Sequence, residues 1–196
     1  MRSSMAAGIG ASTGVLSAAS IQFLTIGTFP GIALFGACIG ANSTDGCTGL
    51  SLSTYLGPGL IFGLIFGIAL QRSDRLGRSG AILFALASLL GNTLAVMAAV
   101  NIFQLLQPLF DNSELPVDAV TGLIAGAIGG GLLGGAAAAL LPGLRWGRLL
   151  AAGTALGLLL PLALDEHLLR SAGPYVFYAL WQGGFAATLV TARRTG

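Results

Sequence analysis

The chain has 196 residues, of which 55% are hydrophobic and 8% charged, with a formal net charge of +2 and a mean hydropathy of +0.87. A soluble domain carries about 25% charged residues, so this chain has too little charge to solvate a folded surface in water. So small a positive excess also excludes the basic face that a nucleic acid would require. The expected solvent, and first partner, is the lipid bilayer.

The opening stretch, "MRSSMAAGIGASTGVLSAAS", is rich in Ser, Gly and Ala. It lacks the compact apolar core of a cleaved secretory signal and reads as the lead-in to a first span. Spanning helices need about 20 mostly apolar residues. Stretches that qualify lie near 16–38, 55–71, 79–107, 117–141, 146–164 and 174–192. The fold expected is therefore all-α: a single polytopic helical bundle over 1–196 with six spans. Pro30 interrupts the first of them, and the count falls to five if residues 6–40 do not cross.

Past the first span, "CIGANSTDGC" places Cys38 and Cys47 nine residues apart in or beside an outer loop. On an oxidising face such a pair is a candidate disulfide closing that loop. Next, "GPGLIFGLIFG" sets Gly59, Gly63 and Gly67 four apart. Residues four apart share one side of a helix, and small residues in a row let neighbouring backbones approach in lipid, where apolar burial itself drives little association. The same spacing recurs as Gly122, Gly126, Gly130 and Gly134 in the fourth span and as Gly153 and Gly157 in the fifth. These are expected to be helix-packing faces, serving contacts within the chain or a seam with a second copy or another membrane subunit.

Chemistry is sparse. No ionisable side chain falls in the central part of any span, where ion-coupled transporters usually hold one. Asn101 and Gln104 share a side of span three, and with Trp181 and Gln182 of span six they form a candidate polar pocket. "LDEHLLRSAGPYVFY" gathers Asp165, Glu166, His167 and Arg170 at the outer end of span five. A solvated cluster with a Glu166–Arg170 pair is the plain reading, and an acid–base site the sharper one. With one histidine in the chain, a multi-histidine metal site is excluded. Nothing in the sequence calls for a cofactor, and no serine-nucleophile elbow or zinc-protease motif occurs.

Arginines set the orientation. Arg2, Arg72, Arg75, Arg78, Arg145, Arg148, Arg193 and Arg194 fall on one side of a six-span arrangement. Asp45, Asp111, Glu114, Asp118, Asp165 and Glu166 fall on the other, with Asp74 and Arg170 as the exceptions. The positive-inside rule then puts both termini in the cytoplasm. All nine basic residues being arginine, with heavy use of Ala, Gly and Leu, fits a GC-rich bacterial genome and its cytoplasmic membrane. The function expected is non-catalytic: a tightly packed subunit or scaffold of a membrane assembly, built through the glycine faces. The alternative is a passive transport component for a small neutral or apolar solute.

Overall fold

The computed structural model describes residues 1–23, 32–34, 37–39, 52–110, 114–164 and 169–192. In chain order these form α1 (Ser3–Phe23), β1 (Ile32–Leu34), β2 (Ala37–Ile39), α2 (Leu52–Arg72), α3 (Arg78–Leu106), α4 (Glu114–Leu140), α5 (Trp146–Gly157), α6 (Pro161–Leu164) and α7 (Gly173–Thr191). Five stretches are long and apolar enough to cross a membrane: Ser3–Gln22, Ser53–Arg72, Arg78–Leu109, Pro116–Leu140 and Trp146–Leu164. The chain is an integral, multi-pass membrane protein. α7 is 19 residues long, but Tyr175, Tyr178, Trp181 and Gln182 lower its apolarity and it falls outside those five.

The first span departs from expectation. The helix covers Ser3–Phe23 rather than 16–38, and the apolar stretch beyond it holds a short antiparallel ladder pairing Ile32 with Ile39, Ala33 with Cys38 and Leu34 with Ala37. The Ser/Gly/Ala composition of α1 gives it the lowest hydropathy of the five spans. Its hydroxyls turn back onto their own helix: Thr13 to Gly10 O at 2.7 Å, Ser17 to Thr13 O at 2.8 Å and Ser20 to Ser17 O at 2.7 Å. A hydroxyl bonded in this way is satisfied without water, so the polar letters of α1 do not prevent its burial.

The helices close into a ring. α1 packs on α7 and α2, α2 on α3, α3 on α4, α4 on α5, and α5 returns to α7. At one end, Arg75 Nη2 donates to Met1 O at 3.3 Å and the backbone N–H of Arg145 to Ala192 O at 3.0 Å. The amino terminus, the 73–77 and 141–145 turns and the end of α7 therefore share that end, and it carries Arg2, Arg72, Arg75, Arg78, Arg145 and Arg148. In the second of these turns Gly143 has φ +84°, a left-handed conformation that glycine adopts without steric cost.

Unlike a soluble bundle, the fold has large apolar side chains outside as well as inside. Outward faces carry Leu60, Leu64 and Ile68 on α2 and Leu83, Leu86 and Leu90 on α3, all exposed. Thr13, Ser17, Ser88 and Gln182 are buried inside. Large contiguous exposed apolar surface on a folded chain is a surface meant for another apolar phase. Inside, Phe62 and Phe66 stack with centroids 5.2 Å apart, and Phe84 leans on both.

Glycines carry the closest contacts. A Cβ on Gly63 would sit 2.7 Å from Ala85 Cα and 2.8 Å from Ser88 Cβ, and one on Gly59 would sit 2.6 Å from Ser88 O. On α4, Gly122 lies against the Gly157 carbonyl, Gly126 against the Gly153 carbonyl, Gly130 against Gly153 Cα and Gly134 against Leu149 Cβ. Gly8 of α1 is different, with nothing within 4 Å of its added Cβ. Gly8→Ala is therefore expected to leave packing intact and to stabilise by up to about 1 kcal/mol through helix propensity, read as an unchanged or higher thermal midpoint in detergent. A lowered midpoint would place a neighbour on that face.

Candidate functional site

Between the helices lies a partly open cavity of about 100 Å³. α2, α3, α4, α5 with the turn after it, and α7 all contribute to its wall, whereas α1 does not. On the α4 and α5 side the lining mixes glycine backbone, from Gly122, Gly126, Gly129 and Gly157, with the side chains of Ala125, Leu133 and Leu160. Opposite stand the aromatic rings of Phe62, Phe177, Tyr178 and Trp181, with Trp181 held by stacking on Phe185 at 5.4 Å. The glycines bring α4 and α5 together, and at Gly129 they let Ala95 and the Trp181 ring close against the backbone.

The polar part of the wall is organised around Pro58, which lies inside α2. A proline within a helix supplies no N–H to the carbonyl four residues back and its ring pushes that carbonyl aside; in a membrane the displaced carbonyls need donors from neighbouring helices. Asn92 of α3 supplies one, its Nδ2 lying 2.6 Å from Tyr55 O and 3.5 Å from Thr54 O. Thr93 Oγ1 adds a bond of 3.2 Å to Tyr55 O besides its 2.8 Å bond to Leu89 O. From α7, Gln182 Nε2 donates to Ser17 Oγ at 2.9 Å and to Pro58 O at 3.4 Å. α3 and α7 are thereby tied to the proline turn, and α1 to α7.

This network fixes which way the Gln182 amide faces. Pro58 O can only accept, and the Ser17 hydroxyl already gives its proton to Thr13 O, so both partners require the NH2 end. The carbonyl end is left over. Gln182 is 1% exposed, and its Oε1 has no hydrogen-bond partner. A buried acceptor left in that state costs about 1–3 kcal/mol.

The fifth span is broken beside the cavity. α5 ends at Gly157, the chain passes through a turn at Leu158–Leu160, and α6 begins at Pro161. Bonds of the three-residue type close the turn, from Leu158 N to Ala155 O at 3.2 Å, Leu159 N to Leu156 O at 3.1 Å and Leu160 N to Gly157 O at 2.9 Å. Pro161 explains the break, since it has no N–H to continue the ladder.

The expected pocket is placed in part. Trp181 and Gln182 line the cavity, but Asn101 and Gln104 do not, and Asn92 stands in the wall instead. Nine residues separate Asn92 from Asn101, which at 3.6 residues per turn puts them about 180° apart around α3. Asn101 instead bonds Met97 O of its own helix at 2.7 Å, and Gln104 is exposed. The sequence signal for Asn92 was Pro58, a proline in an apolar span that calls for an outside donor. Asp118 is one of the acids assigned to the side opposite the arginines. It is 3% exposed, in the first turns of α4, where the helix dipole favours a carboxylate.

Asp165, Glu166 and His167 lie outside the described residues, as does Cys47. Arg170 is exposed, with φ 50°, and Cys38 is seen as a member of β2. No protein-family model matches the sequence, and neither a curated protein nor a solved structure resembles it significantly.

Proposed function

We propose that the chain is a passive transport component, a channel or solute-binding subunit, for a small neutral or apolar solute. The observation that carries this reading is the partly open pocket between α2, α3, α4, α5 and α7, lined by glycine backbone, small aliphatic side chains and aromatic rings. Pockets of small ligands are apolar with a few fixed polar groups, and they occur in membrane transporters where helices are interrupted. Here the Leu158–Leu160 turn breaks the fifth span beside the wall, and Pro58 lies at the wall within α2. In this reading α7 crosses the bilayer with the other five principal helices, and both termini lie on the arginine-rich, cytoplasmic side.

The competing reading, a scaffold that docks partners through its glycine faces, has less to stand on. Gly59, Gly63 and Gly67 are covered by α3, and Gly122, Gly126, Gly130 and Gly134 by α5, within one chain.

Proteoliposomes test the proposal. Urea and glycerol permeation, followed by stopped-flow light scattering, is expected to exceed that of protein-free vesicles. Ala99 and Ala125 line the cavity, so Ala99→Phe and Ala125→Leu are expected to return the rate of any transported solute toward the protein-free value. Equal rates for wild type, both variants and empty vesicles with both solutes would reject a channel for molecules of this class.

A further inference from the structure

Resting on the cavity reading, we infer that the cavity is entered from the side away from the arginine-rich end, and that the packed layer between it and that end is the gate a solute has to pass. The two halves of the bundle are filled differently. Among the lining residues that reach deepest toward the arginine-rich end are Phe62 and Ser88. Phe62 stands ten residues before Arg72 and Ser88 ten after Arg78, about 15 Å of helix at 1.5 Å per residue. That interval is occupied. Phe66 and Leu70 of α2, Phe84 of α3, Leu141 at the end of α4, Leu149 of α5 and Leu189 of α7 are each at most 2% exposed and belong to one cluster. Every helix of the wall thus sends a buried side chain beneath the cavity, and Phe66 and Phe84 meet there with centroids 6.1 Å apart. A close-packed layer of this kind passes no solute until its side chains move. The other half is looser. α3 runs to Leu106, yet none of its residues beyond Gly91 is buried, and its cavity-lining Asn92, Ala95, Val96 and Ala99 all keep some exposure. The open part of the cavity therefore lies along the half of α3 remote from Arg78.

Single cysteines read the side of access. In the full chain freed of Cys38 and Cys47, Gly77→Cys marks the arginine-rich end, since Gly77 is exposed and an added Cβ meets nothing within 4 Å. Right-side-out and inside-out membrane vesicles are treated with a charged, membrane-impermeant methanethiosulfonate. Ala99→Cys is expected to react in the vesicle type in which Gly77→Cys does not, and to stay unmodified in the other. Phe66→Ala, added to Ala99→Cys, is expected to make that cysteine reactive from both faces. Should this variant fail to fold, Phe84→Ala tests the same layer, and Ala99→Cys alone still decides the side of entry. Reaction of Ala99→Cys from both faces with the layer intact, or from the Gly77 face alone, would overturn the inference and leave the cavity standing. One-sided reaction in a folded Phe66→Ala protein would overturn the gate. Reaction from neither face would overturn the cavity reading, and this inference with it.

Discussion

Gly126→Leu is expected to drive α4 away from α5 and to yield a protein that does not survive extraction as a single monodisperse species. The residue faces the Gly153 carbonyl and lies 2.9 Å, from an added Cβ, from Gly157 Cα. Both obstacles are backbone, so no side-chain rotation can relieve them. Overpacking a well-fitted core costs about 1–3 kcal/mol even where neighbours can shift, and here whole helices must move. Gly126→Ala tests the same contact with one carbon and is expected to lower the thermal midpoint clearly, against the unchanged or raised midpoint of Gly8→Ala. If Gly126→Ala and Gly8→Ala melt alike, the α4–α5 contact is not as close as described.

The second large effect is expected from Asn92→Leu. This change removes the amide that serves the Tyr55 and Thr54 carbonyls beside Pro58, at a cost of about 1–3 kcal/mol. The loss should depend on the proline. In a Pro58→Ala background the restored N–H can return to the carbonyl four residues earlier, and α2 no longer needs the outside donor there. A double-mutant cycle on thermal or denaturant stability is therefore expected to give a coupling of about 1 kcal/mol or more. Strict additivity would mean that Asn92 stabilises α3 for a reason unrelated to the proline.

Much of the architecture is legible from residue types. Arg72, Arg78 and Arg145 mark helix ends, and the apolar runs between them are long enough to leave α2, α3 and α4 little freedom of boundary. Glycines four apart identify a helix side, because that spacing is a property of the helix itself. Which helix they meet is not in the spacing. Gly59, Gly63 and Gly67 meet α3 whereas Gly122 and Gly126 meet α5, a matter of how the ring closes. α1 was displaced in the reading because Ser12, Thr13, Ser17 and Ser20 look polar as letters. In a helix their hydroxyls bond the preceding turn, and the residue becomes small and nearly apolar to its neighbours.

The site was legible by half for a related reason. Trp181 and Gln182 stand out in an apolar span, but the phase of α3 about its axis cannot be read from α3. It is set by what α2 needs at Pro58, and that need turns Asn92 inward and Asn101 away. Long-range requirements of this kind belong to pairs of helices, and single-helix periodicity does not contain them.

Everything above assumes that one chain closes the ring and spends its glycine faces on itself. Gly131 and Leu150 face each other across α4 and α5, with an added Cβ on Gly131 lying 3.4 Å from Leu150 Cδ1. In a protein freed of Cys38 and Cys47, the pair Gly131→Cys and Leu150→Cys treated in membranes with a short bifunctional thiol reagent gives the direct answer. The expected product is an internally linked monomer, formed as readily when the double variant is diluted with excess cysteine-free protein. A covalent dimer in place of that monomer, lost on dilution, would show that the seam joins two chains and would contradict the account.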